Sequence, residues 1–124
     1  MQIRQIPISA ILRYQKEAEK AQLVFCTQTV YYGLFVGLKN DILAGFAGIR
    51  MYGNKVVMKN DYIFPEYRKK GYNTKLLKYR LQITRGVKAE ATCTPMSLSL
   101  YLKQGFREVK KFKNGCTLVR RENL

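Results

Sequence analysis

The sequence has no histidine and no tryptophan, and it has only three cysteines and three prolines in 124 residues. Without histidine, Ser-His and Cys-His nucleophile pairs are excluded, so any proton transfer must use a carboxylate, Tyr, Cys, Lys, the backbone or water. Cys26, Cys93 and Cys116 are odd in number and widely spaced. This pattern favours three reduced thiols over a zinc site or a disulfide framework, and we expect no bound metal.

Long apolar runs and acidic residues are also scarce. No apolar run approaches the roughly 20 residues of a membrane helix, and residues 1–5 lack the apolar core of a signal peptide. We therefore predict a cytoplasmic protein without a membrane partner. The chain has 23 Lys and Arg against eight Asp and Glu, a net charge of +15. Such a charge attracts polyanions, including coenzyme A phosphates and nucleic acid, and argues against a basic protein tail as a partner.

The hydrophobic pattern predicts strands and helices in the order β-α-β-β-β-α-β-α-β-β within a single domain, residues 1–124. The helix between the fourth and fifth strands makes one βαβ unit, which places a parallel strand pair in the sheet. The predicted fold class is therefore α+β, with a mixed, mostly antiparallel sheet, a central parallel pair and flanking helices. The predicted strands are residues 2–6, 30–38, 42–52, 55–64, 87–93, 106–112 and 116–119, and the predicted helices are residues 9–22, 74–85 and 96–103.

A basic, glycine-containing loop lies between the fourth strand and the second helix. Pro65 ends the strand, and the segment Arg68-Lys69-Lys70-Gly71 precedes the helix. Backbone N–H groups at a helix N-terminus converge on one spot, and the helix dipole adds positive potential there. The loop thus predicts an anion site, and a solvated basic turn is the alternative.

This loop resembles the pyrophosphate loop of the GNAT acetyltransferases, whose pattern is Gln/Arg-x-x-Gly-x-Gly/Ala. Arg68 and Gly71 match the pattern, whereas Asn73 replaces the usual final Gly or Ala. Asn tolerates unusual backbone angles better than most residues. Because Asn73 departs from the pattern, the individual phosphate contacts can differ from those usual in the family.

A second stretch, residues 97–106, is similar to the late helix of the same family, which has the pattern Ala-x-x-x-Tyr-x-x-x-Gly-Phe. Tyr101, Gly105 and Phe106 match, and Ser97 occupies the position of a small residue. Thr94 stands where the family often has Asn. Both motifs occur in order with the correct elements between them, so the resemblance covers essentially the whole chain.

The resemblance implies direct acyl transfer from acyl-CoA, such as acetyl-CoA, to an amine, without a covalent enzyme intermediate. It implies that main-chain amides of residues 68–73 hold the pyrophosphate, and that the main chain of residues 61–64 lies beside the pantetheine arm. The implied cofactor-binding residues are Tyr62, Ile63, Phe64, Arg68, Lys69, Lys70, Gly71, Tyr72, Asn73 and Thr74.

The resemblance also implies catalytic roles for Tyr101 and Asp61. Tyr101 is placed to protonate the leaving thiolate, with an aromatic packing role as the alternative. Asp61 lies on the strand that family enzymes often use for a water-linked carboxylate base, and a solvent-facing strand residue is the alternative. Glu90 is a weaker candidate for the base, whereas Glu66 more simply decorates the loop.

The acceptor and the class of function remain open. One branch is a small amine or a protein amine, and the other is nucleic acid, either a DNA base or charged tRNA, which the net charge favours. Tyr62, Tyr67, Tyr72 and Tyr79 alternate with basic residues in a pattern that predicts base stacking or a Tyr-rich amphipathic surface. The different-class alternative is an inactive binding module for nucleic acid or another polyanion. Its basic residues would be Lys110, Lys111, Lys113, Arg120 and Arg121, which are otherwise a solvated hairpin face. A monomer and a homodimer both remain open.

Overall fold

The structure is a computed structural model that describes residues 1–14 and 28–122. Seven strands form one sheet in the described residues: β1 Gln2–Ile6, β2 Val30–Val36, β3 Ile42–Tyr52, β4 Lys55–Ile63, β5 Lys88–Cys93, β6 Arg107–Lys111 and β7 Thr117–Arg121. The described helices are α1 Ser9–Leu12, α2 Tyr72–Ile83 and α3 Pro95–Lys103, and a 3-10 turn spans Pro65–Tyr67. Residues 15–22 of the predicted first helix, and Cys26, lie outside the described residues.

The sheet has the order β1-β2-β3-β4-β5-β7-β6. Strand β4 pairs with β5 in parallel, and every other neighbouring pair is antiparallel. The predicted fold class is therefore confirmed, with the parallel pair at the predicted place in the chain. Two helices begin nearer the N-terminus than predicted: α2 begins at Tyr72 rather than at residue 74, and α3 begins at Pro95 rather than at residue 96. Pro is well suited to the first turn of a helix because its missing N–H is not needed there.

The two faces of the sheet carry different cores. We call the larger one the helix-side core, because α2 contributes Leu76 and Leu77 and α3 contributes Tyr101 to it. We call the smaller one the opposite core, in which Ile11 of α1 and Phe46 of β3 are both fully buried. Side chains of a strand alternate between the two faces, so the buried apolar residues of the strands belong to one core or the other.

Strands β4 and β5 separate before they end. Their pairing runs from Lys55 with Lys88 to Met58 with Ala91, but β4 continues to Ile63. A β-bulge in β4 lies where this separation begins: Gly48 of β3 faces Lys59, whereas Phe46 faces Tyr62. An extra residue on one strand bends that strand and increases its twist. We call the resulting gap between the ends of β4 and β5 the fork.

On the other side of β4, contact with β3 stays close beyond the bulge. A Cβ atom at Gly45 would lie 2.5 Å from Ile63 Cδ1 and 2.7 Å from the Tyr62 carbonyl oxygen. Glycine at this position therefore allows β3 to stay against β4 while β4 leaves β5. The fork is consequently a local opening in an otherwise continuous sheet.

No helix within the described ranges is both long enough and apolar enough to cross a membrane.

Candidate functional site

The N-terminus of α2 faces the loop that follows β4. Gly71 has the left-handed backbone angle φ 78°, and its carbonyl accepts the N–H of Lys75 at 3.1 Å, the first bond of the helix. The amides of the preceding helical residues have no acceptor of their own within a helix. Among the described residues, no side chain caps this end of α2. These amides are therefore available to an anion, and the helix dipole favours negative charge at the same place.

The loop is open around Gly71. A Cβ atom at Gly71 would meet no atom within 4 Å, so it is the left-handed conformation that calls for glycine here. Lys69 is also left-handed, with φ 64°, and its side chain is exposed beside that of Lys70. The buried Oδ1 of Asn73 has no hydrogen-bond partner in the described part of the chain. A buried polar atom without a partner is costly, so Asn73 departs from the hydrogen bonding expected of a buried side chain.

Arg68 is directed back toward β4. Its Nε donates to the Ile63 carbonyl at 2.9 Å, and its guanidinium carbon lies 5.5 Å from the centre of the Tyr62 ring. The side chain therefore ties the loop to the end of the strand. The positive charge of Arg68 remains close to the loop, while its hydrogen bond fixes where the loop begins.

The side chains at the end of β4 are buried in the two cores. Tyr62 and Phe64 are buried in the opposite core, and Ile63 is buried in the helix-side core. The Phe64 N–H donates to the Ala44 carbonyl at 2.9 Å, which anchors the end of the strand to β3. Tyr72 and Thr74, the remaining residues predicted to bind the cofactor, are partly buried in the first turn of α2. A role in cofactor binding for the ten residues predicted above stays a prediction.

Asp61 and Tyr101, which were predicted separately, meet in space. Tyr101 on α3 donates its hydroxyl hydrogen to Asp61 Oδ2 on β4. Since α3 follows β5 in the chain, this bond joins β4 to the β5 side of the fork. The alternative of a solvent-facing Asp61 is wrong, because its side chain is 11% exposed and is paired with Arg80. The bulge in β4 explains the error, because it interrupts the simple alternation of strand side chains.

Arg80 is the residue of this site that sequence reasoning missed. Its Nη1 and Nη2 each donate to one oxygen of Asp61 at 2.8 Å, and its side chain is fully buried. Nη1 also donates to the Gly48 carbonyl at 3.0 Å, and Nε donates to the Leu76 carbonyl at 3.2 Å. The sequence held a signal for it: Arg80 is four residues after Leu76, and therefore on the apolar face of α2. A charge on such a face requires a buried partner.

Burial and charge perturb the ionisable groups of this network. Burial and the negative charge of Asp61 raise the pKa of Tyr101 well above its ordinary value. Burial by itself would lower the pKa of Arg80, but the charges of Asp61 and Tyr101 outweigh it and raise that pKa. Burial also raises the pKa of Cys93 to about 12. The phenol, the guanidinium and the thiol are thus all held in their protonated forms near neutral pH.

Glu90 lies in a separate ion-pair cluster. Its carboxylate accepts from Lys55 Nζ at 2.9 Å and from Arg120 Nε at 2.7 Å. Burial raises the pKa of Glu90, but the hydrogen bonds and charges of Lys55 and Arg120 outweigh it and lower the pKa below 4.5. Two strong cationic partners make Glu90 a poor base. Arg120 is therefore paired with Glu90, and Arg121 donates to the Gln104 carbonyl at 2.8 Å.

The four tyrosines predicted to stack bases are packed in the protein. Tyr62 is 8% exposed, and Tyr79 packs against Tyr32 with ring centres 5.4 Å apart. Tyr67 and Tyr72 are partly buried against the helix-side core. Tyr62 is too buried to stack on a base, whereas Tyr67, Tyr72 and Tyr79 are only partly buried. For these three rings, base stacking stays a prediction beside their packing role.

Solved structures share this architecture. The ribosomal-protein-S18-alanine N-acetyltransferase from Escherichia coli has a TM-score of 0.74 at 15% identity, covering 96% of this chain and 91% of that one. The PaiA N-acetyltransferase from Thermoplasma acidophilum, in complex with coenzyme A, has a TM-score of 0.66 at 20% identity, covering 93% of this chain and 68% of that one. A chimeric spermidine N-acetyltransferase from Vibrio cholerae has a TM-score of 0.77 at 13% identity, covering 99% and 97%. At such identities these likenesses establish the fold alone.

No curated protein matches this chain in sequence. The acetyltransferase (GNAT) domain family matches residues 31–108, a span that runs from β2 into β6 and includes the fork, the loop before α2, and Tyr101. The resemblance found in the two sequence motifs is thus confirmed by a match over more than half of the chain. The chain belongs to the GNAT acetyltransferase domain family.

Proposed function

We propose that this protein is an N-acyltransferase that transfers an acetyl or similar acyl group directly from acyl-CoA to an amine. One observation carries the proposal: β4 and β5 stop pairing after Met58 and Ala91, the loop after β4 leads to a helix N-terminus without a side-chain cap, and the Tyr101 hydroxyl bonds to Asp61 in the separated part of β4. The helix N-terminus suits a pyrophosphate, and the hydroxyl suits a leaving thiolate. Membership of the GNAT family supports the same reading.

Residues 68–73 would hold the pyrophosphate through main-chain amides at the start of α2. Lys69 and Lys70 are exposed and add positive charge there. Asn73 would supply a side-chain amide where the family usually has only a small residue. The main chain at the end of β4 would then run beside the pantetheine arm, because the side chains of Tyr62 and Phe64 face the opposite core.

The transfer step balances without any other reactant. The acceptor nitrogen forms a bond to the carbonyl carbon of the thioester, the carbon–sulfur bond breaks, and its electron pair goes to sulfur. Tyr101 gives its hydroxyl proton to that sulfur, and the nitrogen loses a proton that restores the phenol. The products are an amide and free CoA thiol. A positioned acid of this kind typically contributes about a hundredfold to ten-thousandfold in rate.

Nucleic acid is the acceptor class that the surface charge favours. Lys110 and Lys111 on β6, and Lys113 in the following turn, are exposed around Phe112, which is 37% exposed. Lys110 Nζ lies 5.4 Å from the centre of the Phe112 ring. Lysines attract a phosphate backbone, and an exposed aromatic ring can stack on a base. The same residues would serve the second candidate function, an inactive module that binds nucleic acid.

A transfer assay separates these functions. The purified protein is incubated with radiolabelled acetyl-CoA and three acceptor pools: DNA, tRNA, and a mixture of small amines and peptides. We expect label to enter one pool, and Tyr101→Phe to lose turnover while it keeps its affinity for acetyl-CoA. Tight CoA binding without transfer to any pool would contradict an acyltransferase acting on these acceptors. Absence of CoA binding at low salt would contradict phosphate binding by residues 68–73.

The nucleic-acid branch has its own control. A Lys110→Ala/Lys111→Ala/Lys113→Ala variant should lose affinity for tRNA or DNA and show a shallower dependence of that affinity on salt. Its affinity for acetyl-CoA should not change, because these residues are on the β6–β7 hairpin and not on the loop before α2. Equal nucleic-acid binding by this variant and the wild type would exclude the hairpin as the binding surface.

A further inference from the structure

A buried network joins three elements of the fold around the proposed proton donor. Arg80 of α2 holds both oxygens of Asp61 on β4, and Asp61 accepts the hydroxyl hydrogen of Tyr101 on α3. We propose that Arg80 is a positioning residue for acyl transfer, which acts on Tyr101 through Asp61. This inference rests on the proposed function, because it concerns the residue that would protonate the leaving thiolate.

The first part of this role is geometric. Tyr101 lies on a helix that follows β5, and its hydroxyl is anchored across the fork by the carboxylate of Asp61. That carboxylate is itself fixed, because Arg80 donates to both of its oxygens and the guanidinium is held by the Gly48 and Leu76 carbonyls. The phenol oxygen is therefore held in place while its hydrogen can rotate about the C–O bond toward a sulfur in the fork. A reacting group held in this way needs little rearrangement at the moment of reaction.

The second part is electrostatic. When Tyr101 gives up its proton, a phenolate forms next to a carboxylate, and two adjacent negative charges repel each other strongly in a buried site. Burial and Asp61 both raise the pKa of Tyr101, whereas Arg80 is the one charge in the network that lowers it. Arg80 thus offsets the charge of Asp61 at the step where Tyr101 is briefly ionised.

The burial of this pair argues for a role beyond stability. A bidentate Arg–carboxylate pair with one member fully buried and the other 11% exposed gives up most of its hydration. An apolar pair of similar volume at such a site is often as stabilising or more so. Leu76, Leu77 and Leu81 surround the same face of α2, so an apolar residue at position 80 would suit the core. The ion pair instead provides an acceptor aimed at Tyr101, which an apolar pair cannot do.

The test replaces the pair without leaving a lone charge. We compare the wild type with Asp61→Leu/Arg80→Met, with Tyr101→Phe, and with the triple variant that combines them. We expect the double variant to fold and to bind acetyl-CoA with unchanged affinity. Its kcat should fall about tenfold to a hundredfold with KM unchanged, which is the loss of an interaction made in the transition state. The triple variant should be no slower than Tyr101→Phe, because the pair acts only through Tyr101.

A matched control separates positioning from general weakening of the core. Leu77→Ala creates a cavity in the same helix, and because the Leu77 side chain has no polar atom, it removes no hydrogen bond of the network. It should lower stability yet leave kcat unchanged at temperatures well below its unfolding transition. A double variant with wild-type kcat would overturn the proposal. So would a triple variant whose loss is the product of the two separate losses.

A second measurement keeps this result distinct from the proposed function itself. The hydroxyl proton of Tyr101 is buried and bonded to a carboxylate, so it should give a slowly exchanging, far-downfield proton resonance in the wild type. The resonance should vanish in Tyr101→Phe and in Asp61→Leu/Arg80→Met, and it should persist in Leu77→Ala. A wild-type protein that shows this resonance but transfers no label would refute the transfer and leave the network intact. A wild-type protein without the resonance would refute the network.

Discussion

Replacing Arg80 with methionine is expected to remove about 3–5 kcal/mol from the free energy of unfolding. The structure gives the reason: the Arg80 side chain is fully buried, and its loss leaves the carboxylate of Asp61 without a cation while only 11% of that side chain is exposed. The Gly48 carbonyl also loses a donor. Since a domain of this kind has about 5–15 kcal/mol in total, the variant should be close to the limit of folding.

Removing both charges should recover much of this loss. In Asp61→Leu/Arg80→Met no charge is left alone, but the Tyr101 hydroxyl and the Gly48 carbonyl lose their partners, so we expect stability about 1–3 kcal/mol below the wild type. Urea unfolding followed by far-ultraviolet circular dichroism measures all three proteins, and equal m-values would show that each exposes a similar surface.

The matched control is the other ion-pair cluster. Lys55→Met removes a partner of Glu90, but the Lys55 side chain is 39% exposed and Arg120 still holds the carboxylate. Its cost should therefore be no more than about 1 kcal/mol. If Arg80→Met cost as little as Lys55→Met, the Asp61–Arg80 pair would be screened by solvent, and the reasoning from burial would be wrong.

Three further predictions follow from the loop, the ion pairs and the thiols. Gly71 and Gly86 both have a left-handed backbone, and a Cβ atom at either would have no atom within 4 Å. Gly71→Ala and Gly86→Ala should therefore each cost about 1–2 kcal/mol of stability, but only Gly71→Ala should weaken acetyl-CoA binding in a calorimetric titration. Equal affinity in the two variants would contradict phosphate binding by the loop before α2. Because the pKa of Glu90 is lowered in the folded protein, its ion pairs contribute their full stability above pH 4.5, and that stability is lost as the pH falls below this value. The free energy of unfolding, measured against pH, should therefore fall less in acid for Glu90→Gln than for the wild type. Burial raises the pKa of Cys93 to about 12. Mass spectrometry after alkylation of the native protein at neutral pH should therefore find Cys93 unmodified, while the partly exposed Cys116 reacts. Rapid labelling of Cys93 would contradict its burial.

The order of the elements and the two motifs were accessible from the sequence. Strand β3 was predicted with its observed limits, because Ile42–Tyr52 is bounded by the turns at Asn40 and Gly53, both of which have positive φ. The parallel pair followed from a helix placed between β4 and β5. Tyr101 was found because it is one of several motif positions at fixed spacing within and just after α3. Local signals of this kind depend on residues that are close in the chain.

The β4 bulge was not accessible in the same way. Asn60 has a positive φ of 58° at the bulge, and Asn tolerates that angle better than most residues, but its presence in a strand does not locate a bulge, which depends on the register with β3. Asp61 was therefore given a solvent-facing alternative that its position in the fold excludes. Arg80 was overlooked for a related reason: a basic residue in an amphipathic helix is usually exposed, and only the carboxylate brought from β4 makes its burial tolerable.

Residue type and spacing along the chain were enough to predict the family and the order of strands and helices, and composition gives the excess of positive charge. Anion binding by the loop before α2 stays a prediction. Only the tertiary structure shows that Asp61, Arg80 and Tyr101 form one network, because Arg80 and Tyr101 lie 19 and 40 residues after Asp61 in the chain. It also shows which charged side chains are paired within the fold and which face the solvent. The physical reason is that burial and pairing depend on what packs against a side chain.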